Sequence, residues 1–459
     1  MKFNFQSLVA PCAAGMLAGC STYNSQPLDQ AAVERSLQPQ PIESVKVAAA
    51  QIHHPLVKPV VIDGRDGFSP DEIAVMVVIV SPQLRALRDQ RGVAQAQVMQ
   101  AGILPNPSFN YEIDRPDAYP YPVATQYTWG LSWDTSALLT RHDNISSAKA
   151  AAKSLDLSIA WQEWQAAQDA RLRAFRILSL EQRLPIARTI EAELADSAAL
   201  VRKAYESGEE TGTGLTTATD AWTAAQDALF DLENQINSER AALNLSLGLR
   251  EDEKVRLKAG PAFPELAGEA TESELLKGLE DRRLDLVALH YGYESEDASL
   301  RAAVKAQFPK IGLGLVRARD TSVPPIYVWG RAVTVDIPIF DRNQAQVAAG
   351  KATRQQLFDE YVARVAEARS QVGEILAELA NARAQMRTTA ASLPDLEKLA
   401  ASMEAAFKTG DAEDQALRDA QSALAARQMQ QSQLQQEVLE LEVALEIATG
   451  RPLLNRTQP

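Results

Sequence analysis

The sequence predicts a mainly α-helical protein that also contains pairs of β-strands, which would suit either a soluble sheet or a membrane β-barrel part. Two observations carry the prediction: long helical stretches rich in Ala, Gln and Glu, and pairs of strands in which bulky and polar residues alternate strictly. A third observation is that both features occur twice along the chain. The 459 residues are therefore expected to form two similar halves rather than two or three unrelated domains.

One constant offset reveals the duplication. Pro107 and Pro309 are 202 residues apart, and Asp134 and Asp336 keep the same separation. The same offset relates further pairs well outside these stretches: Leu84 and Leu286, Ala86 and Ala288, Tyr205 and Phe407, Gly208 and Gly410, Ala218 and Ala420, Gly248 and Gly450. A single register over this length indicates two copies of one structural unit.

Composition excludes several classes of protein. Apolar residues make up 46% of the chain and charged residues 23%, which is ordinary for a folded protein. The net charge of −14 argues against a nucleic-acid partner. Because the sequence contains no run of about 18 apolar residues, no transmembrane helix is predicted. Any insertion into a membrane would have to come from the strands.

The N-terminus is predicted to be an export signal. Residues 1–19 form a short apolar stretch that ends in small residues. The tetrapeptide Leu17-Ala18-Gly19-Cys20 resembles the bacterial lipobox, which implies cleavage before Cys20 and lipidation of its thiol. The alternative is a plain signal peptide followed by an incidental cysteine.

Residues 20–68 are predicted to be a lipid-anchored N-terminal arm. The stretch is rich in Gln, Pro and Ser and has no periodicity, so an extended conformation is expected. Its two adjacent histidines, His53 and His54, could form half of a metal site. Because adjacent side chains point in different directions, a solvated loop is the favoured interpretation.

The first repeat is predicted to span 69–249 and to open with two helices. Ser69-Pro70-Asp71-Glu72 has the pattern of a capping box with proline in the first turn. The next residues, 73–80, are apolar all round and are expected in the core. A second helix is predicted from Ser81-Pro82 to Gly102.

Four strands are predicted, at about 107–115 and 125–135 in the first repeat and 309–317 and 327–338 in the second. In the first pair one face is bulky, aromatic and uncharged, and the other is polar and includes three carboxylates; in the second pair Arg331 lies on the bulky face. Either a soluble sheet or a membrane barrel could show this pattern. If the bulky face meets lipid, Arg331 is expected near a membrane interface, where a charge costs little.

A long helical hairpin follows each strand pair, at 144–247 and at 344–448. A helix of about 60 residues would reach roughly 90 Å, which favours coiled-coil or tube packing. Pro185 is expected to kink or break the first long helix, and Pro394 interrupts its counterpart. Residues 250–274 are predicted to be a connector, 275–450 the second repeat with a leading helix to about 307, and 451–459 a tail.

The strand number predicts an oligomer if the strands lie in a membrane. Four strands cannot close a barrel, and an open sheet edge cannot lie in lipid. The smallest outer-membrane barrels have about eight strands. Several chains would therefore have to pool their strands.

The order helix, strand pair and helical hairpin, repeated once, resembles the TolC-type outer membrane efflux factor family over nearly the whole mature chain. Three segments carry the resemblance: Ala-Gly-Ile-Leu-Pro-Asn-Pro at 101–107, the strand exit at 335–342, and the paired hairpin turns at 205–208 and 407–410. The lipidated cysteine and the first segment look most like the heavy-metal and multidrug branches. The first turn departs from the family pattern at Gly212 and Gly214.

The resemblance implies a homotrimer with a shared twelve-stranded barrel and an α-helical tunnel across the periplasm. It also implies a passive exit duct in the outer membrane, partnered by outer membrane lipid, a periplasmic adaptor and an inner-membrane transporter, with no cofactor. The hairpin turns would form the periplasmic mouth, where the candidate gate and adaptor contacts are Tyr205, Gly208, Glu209, Glu210, Phe407, Gly410, Asp411, Glu413 and Asp414.

The sequence leaves alternatives open for the role of the acidic turns, for the function of the protein and for its cargo. Threefold repetition of the acidic turn residues would make a ring that favours cations, although acids at helix starts are also ordinary caps. A lipid-anchored structural coiled-coil protein would explain the helices and Cys20 but not the duplicated strands. A secreted enzyme has no supporting residue set, since no catalytic, phosphate-binding or metal-ligating motif is present. The cargo (metal ions, drugs, solvents or polypeptides) is not determined.

Overall fold

The computed structural model describes residues 23–115, 117, 124–250, 252–258 and 271–453. The predicted signal peptide, Cys20, residues 259–270 of the connector and the end of the tail lie outside these residues. The chain divides into two units, 1–40 and 41–459. In the first unit, helix α1 (Gln30–Ser36) begins after Asp29, whose side chain accepts a hydrogen bond from the backbone N–H of Ala32 at 2.6 Å. All other elements belong to the second unit.

The segment after residue 40 is not the extended arm that the sequence predicts. Helix α2 (Ile42–Ala50) buries Val45 and Ala49, which are four residues apart and therefore share one face. Val57 and Ile62, in the irregular stretch that follows, are also buried in the main core. The prediction was wrong for 42–62 because a single buried helical turn is too short to produce a visible period.

Helices α3 (Pro70–Val80) and α4 (Pro82–Gly102) confirm the predicted start of the first repeat. The capping box is present: Glu72 accepts from the N–H of Ser69 at 2.6 Å, and the N–H of Glu72 donates to the Ser69 hydroxyl at 3.3 Å. The apolar run in α3 is the centre of the largest core, where Ile73 and Val77 are fully buried.

The strands form one antiparallel sheet in the order β1 (Ser108–Asp114), β2 (Gln126–Asp134), β3 (Lys310–Asp320) and β4 (Tyr327–Asp336). The two repeats meet in this sheet, because β2 of the first pairs with β3 of the second. Strand β3 extends three residues beyond the predicted end at 317. Arg331 lies on the bulky face, as the alternation predicts, directly across from Leu315.

The first hairpin consists of α5 (Ala137–Glu206) and α6 (Gly212–Leu247). Helix α5 starts seven residues before the predicted position and continues through Pro185, so of the predicted kink or break the break does not occur. A proline costs one backbone hydrogen bond and about 3 kcal/mol. Packing against α6 around Leu180, Ala187 and Ile236 offsets that loss on both sides of the proline.

The second repeat opens with three helices where the sequence predicts one. They are α7 (Glu272–Leu276), α8 (Leu279–Arg282) and α9 (Leu284–Lys305). Gly278 has a φ of +67°, a left-handed conformation that ends α7 and cannot continue a helix. Leu275 and Leu279 on either side of this break are fully buried, so the bend is fixed by packing.

The second hairpin consists of α10 (Gln344–Thr409), which continues through Pro394, and α11 (Asp414–Thr449). Its end repeats that of the first hairpin, since Gly248 and Gly450 both adopt a positive φ. The N–H of Leu249 donates to Asn244, and 202 residues later the N–H of Arg451 donates to Glu446. The duplicated helix, strand pair and hairpin is therefore present in the fold.

Candidate functional site

The sheet has one bulky face and one small face, and the charges are divided between them. The odd-numbered residues of the strands are bulky, and many of them are highly exposed, including Trp329 (72%), Phe109 (68%) and Val333 (67%). A water-soluble monomer seldom exposes so large a contiguous apolar surface. The bulky face is therefore an interaction surface, for lipid or for protein.

The small face carries the even-numbered residues. Glycine, alanine and serine occupy most of its centre, and a pocket of about 330 Å³ lies over it. All five carboxylates of the strands are on this face: Glu112, Asp114, Asp134, Asp320 and Asp336. Lys310 pairs across the strands with Asp336 at the helical end of the sheet. This face is suited to contact with water.

Gly130 illustrates why this face is small. A Cβ atom placed on Gly130 would lie 1.9 Å from the Oδ1 atom of Asn110, its cross-strand partner. The amide of Asn110 therefore occupies the space above the glycine backbone. Any larger residue at 130 would displace the polar side chain that lines the face.

Within the described residues, the sheet ends in two edges that have no partner strand. Strand β1 pairs only with β2, and β4 pairs only with β3. Their outer backbone groups would be unsatisfied in a lipid environment. The Trp133 indole N–H donates to the carbonyl of Pro105 at 2.8 Å and fixes the start of the sheet to the segment that precedes β1.

The first hairpin turn contains four of the predicted site residues. Gly208 has a φ of +81°, which only glycine adopts without strain. The N–H groups of Glu209 and Glu210 both donate to the carbonyl of Ala204, at 2.8 and 3.2 Å. The carboxylate of Glu210 accepts from the N–H of Thr211, the N-cap of α6, at 2.7 Å. Tyr205 is about half exposed beside the turn (46%).

The second turn has the same backbone geometry. Gly410 has a φ of +83°, and the N–H of Asp411 donates to Ala406 at 2.8 Å, the equivalent of the Glu209 bond. Glu413 is the N-cap of α11, but its side chain makes no capping bond. Asp414 is the first residue of that helix. Phe407 is 42% exposed and matches Tyr205.

The two turns belong to hairpins that lie side by side. The Arg418 guanidinium, about one helical turn into α11, donates to the backbone carbonyl of Glu193, more than three turns before the end of α5, at 3.2 Å. Burial raises the pKa of the Glu193 carboxyl. No hydrogen bond or ion pair joins the turns themselves among the residues described. Glu209 and Asp411 are exposed, and so is Glu413, so their charges face solvent.

His54 differs from the sequence prediction. Its side chain is buried rather than solvated: Nε2 lies 3.0 Å from the carbonyl of Ala160 and 3.5 Å from a Glu163 carboxylate oxygen. Glu163 also pairs with Arg88. Burial lowers the pKa of the His54 imidazole, which outweighs the effect of Glu163. Because its partners are distant in sequence, no local pattern could have revealed this contact.

Arg317 and Arg319 were also missed as site residues. Their guanidinium groups stack on aromatic rings of β4: Arg317 lies 5.0 Å from the Trp329 centroid, and Arg319 lies 5.6 Å from that of Tyr327. The available signal was the alternation itself, which continues through both arginines on the bulky face.

The described residues contain neither a metal-binding cluster nor a membrane-spanning helix. No group of three or more His, Cys, Asp or Glu side chains is placed to hold a metal ion. No helix in the described part of the chain combines the length and the apolar character needed to cross a bilayer.

Comparison with known sequences identifies one family model, described as outer membrane efflux protein, which matches residues 77–249 and 275–451. The two matched segments coincide closely with the two repeats. No curated protein sequence shows significant similarity to the chain.

Solved structures share the fold at low sequence identity. The crystal structure of CusC is 18% identical with a TM-score of 0.64, and the alignment covers 87% of this chain and 98% of that one. VceC of Vibrio cholerae is 16% identical with a TM-score of 0.62, covering 84% and 96%. The open state of MtrE of Neisseria gonorrhoeae is 15% identical with a TM-score of 0.61, covering 96% and 100%.

Proposed function

This chain belongs to the outer membrane efflux protein family, and from that premise we propose that it is the outer membrane channel of a tripartite pump. Three copies would share a twelve-stranded barrel on an α-helical tunnel that crosses the periplasm. The channel itself would be passive, because energy would come from an inner-membrane transporter. A periplasmic adaptor would deliver substrates to the tunnel mouth.

The division of the sheet into two faces supports this proposal most strongly. A bulky exposed face and a small carboxylate-bearing face are what a barrel wall needs between lipid and a water-filled lumen. Each strand has 7 to 11 residues, close to the length that spans a bilayer when tilted. The two unpaired edges argue for closure by other copies, since four strands cannot form a barrel alone.

The two repeats would contribute equally to each part. In the proposed organisation, the repeats 69–249 and 275–450 each supply one strand pair and one hairpin, and 250–274 connects them. The signal 1–19 would be removed and Cys20 would carry the lipid anchor of the N-terminal segment 20–68. The tail 451–459 would follow the second hairpin.

The hairpin turns would form the periplasmic mouth and meet the adaptor. Tyr205 and Phe407 are exposed apolar groups at equivalent positions, suited to a protein contact. Glu209, Asp411 and Glu413 carry exposed negative charge beside them. Repeated threefold, these carboxylates would form a ring that attracts cations and repels anions.

A lipid-anchored spacer protein is the weaker candidate. It would use the long helices and Cys20, but it would have no need for a sheet with an exposed aromatic face. The family match covers both repeats, including both strand pairs.

Size-exclusion chromatography with light scattering in detergent tests the shared barrel. We expect a protein mass three times that of one chain, and a loss of solubility when the detergent is removed. A monomer that stays soluble without detergent would contradict the proposal.

A further inference from the structure

The bulky face of β3 and β4 changes in character from the helical end to the loop end. Near the helices it is aliphatic: Ile311 lies across from Val335, and Leu313 lies across from Val333. Toward the loops it becomes aromatic and basic: Trp129 lies beside Arg317 and Trp329, and the next row holds Tyr127, Arg319 and Tyr327. The row that joins Leu315 to Arg331 lies between these two regions.

All three arginines of the strands are on this face, and all five carboxylates are on the other. No acidic side chain in the described part of the chain forms an ion pair with Arg317, Arg319 or Arg331. Among the residues described, therefore, no carboxylate neutralises these positive charges. A basic strip beside an apolar band is complementary to an anionic surface that adjoins hydrocarbon.

Stacking holds the two loop-end arginines in place. Arg317 lies between the cross-strand neighbours Trp129 and Trp329, and its guanidinium is 5.0 Å from the Trp329 centroid and 5.8 Å from that of Tyr327. A stacked guanidinium keeps its in-plane N–H groups available to acceptors. The Nε atom of Arg317 is buried and has no hydrogen-bond partner in the described residues.

We propose that Arg317 and Arg319 bind the phosphate groups of anionic lipids at the loop end of the sheet. This inference rests on the proposed function, which puts the bulky face in the membrane and the loops at its outer surface. The aromatic rings would then lie at headgroup depth, where amphipathic rings are favoured. The guanidinium groups would meet phosphate oxygens, which the planar donor fork of arginine fits well. Arg331 lies one row closer to the helices. Its long aliphatic side chain would extend along the sheet so that its guanidinium reaches the same layer of headgroups.

Quenching of tryptophan fluorescence by brominated lipids tests the proposal in the full-length trimer. Trp129, Trp133 and Trp329 lie on the sheet, whereas the other three tryptophans lie on helices. Brominated phosphatidylglycerol should bind more tightly than brominated phosphatidylcholine. The double variant Arg317→Gln, Arg319→Gln should lose at least fivefold of that preference, since one arginine near an anionic surface contributes about 1 kcal/mol.

Two further variants serve as controls. Lys153→Gln with Arg387→Gln removes the same charge from exposed helical positions that have no ion pair in the described residues, and the preference should not change. The double variant Arg317→Lys, Arg319→Lys should keep part of the preference for brominated phosphatidylglycerol. Trimer mass and helical circular dichroism report whether each variant folds.

The outcomes separate this inference from the proposed function. If neither lipid quenches the wild-type protein, the sheet does not meet lipid, and both ideas fail. If both lipids quench equally, or if the preference survives Arg317→Gln, Arg319→Gln, only the phosphate site is overturned. Competition by millimolar inorganic phosphate would also overturn it, because it would identify a free-anion site rather than a lipid site.

Discussion

Arg171 and Glu446 form a buried ion pair in which the Nη1 and Oε2 atoms are 2.8 Å apart. Both side chains are almost completely inaccessible to solvent. The pair connects α5 of the first repeat to α11 of the second across 275 residues of sequence. Asp71 makes a second contact to Arg171 at 2.9 Å, which draws α3 into the same network.

The buried pair predicts a large cost for removing one partner. Glu446→Ala should lower the free energy of unfolding by about 3–5 kcal/mol, because it leaves a buried guanidinium undercompensated. Denaturant titration measures this change. Arg188→Ala breaks the exposed Arg188–Glu233 pair and should cost less than about 1 kcal/mol. Equal losses in the two variants would contradict the prediction.

The buried carboxyl of Glu442 is expected to make the stability of the protein depend on pH. Burial raises the pKa of its carboxyl from 4.5 to about 7, despite the partly compensating Arg383. The folded protein holds this proton more tightly than the unfolded chain, so the contribution to stability is full below pH 4.5 and is lost as the pH rises to 7. The loss is at most about 3 kcal/mol. Unfolding midpoints measured at pH 5 and 7.5 should fall with pH for the wild type, and Glu442→Gln should flatten that fall.

Glu437→Gln, an exposed change in the same helix, is the control for Glu442. It should leave the pH dependence of the unfolding midpoint as in the wild type. If Glu442→Gln behaves in the same way, the carboxyl of Glu442 does not retain its proton in the fold.

The acidic turns predict cation preference. Asp411→Asn with Glu413→Gln should lower the ratio of cation to anion permeability in a planar bilayer, because threefold symmetry removes six charges at the mouth. Asp89→Asn with Asp231→Asn removes as much charge from exposed positions outside the turns and should have little effect. Unchanged selectivity in the turn variant would exclude these residues as a gate.

The hydrogen bond from the Trp133 indole to Pro105 is expected to stabilise the sheet measurably. Trp133→Phe removes the indole donor to Pro105 and should cost about 1 kcal/mol. The temperature at which the oligomer dissociates should fall by a few degrees. Trp329→Phe is the comparison, because its indole N–H has no partner in the described residues. A larger loss for Trp329→Phe would show that the hydrogen bond is not what matters.

Much of the fold was predictable because the sequence contains two copies of the same structural unit. The offset of 202 residues predicted that Gly208 and Gly410 would be equivalent, and both have the same positive φ and the same hydrogen bond to the preceding helix. Alternation predicted the faces of the strands, since the period of two is a local property of extended backbone.

The remaining features depend on contacts between distant residues. His54 accepts local hydrogen bonds from the N–H groups of Leu56 and Val57, but the groups that bury its Nε2, Glu163 and Ala160, are more than 100 residues away. The helix at 42–50 is stabilised by the core rather than by its own sequence pattern. Pro185 was expected to kink or break its helix, and the helix does not break because the packing along α5 offsets the cost of one lost hydrogen bond. Such energies cannot be read from a local pattern.

Single-channel conductance of the purified protein in a planar bilayer, with its oligomer mass in detergent, is the most direct test of the shared channel. We expect a trimer with small, flickering, cation-preferring conductance, because the periplasmic mouth of the proposed duct is gated. A monomer or dimer without conductance would contradict the shared barrel and would leave the lipid-anchored spacer as the better explanation.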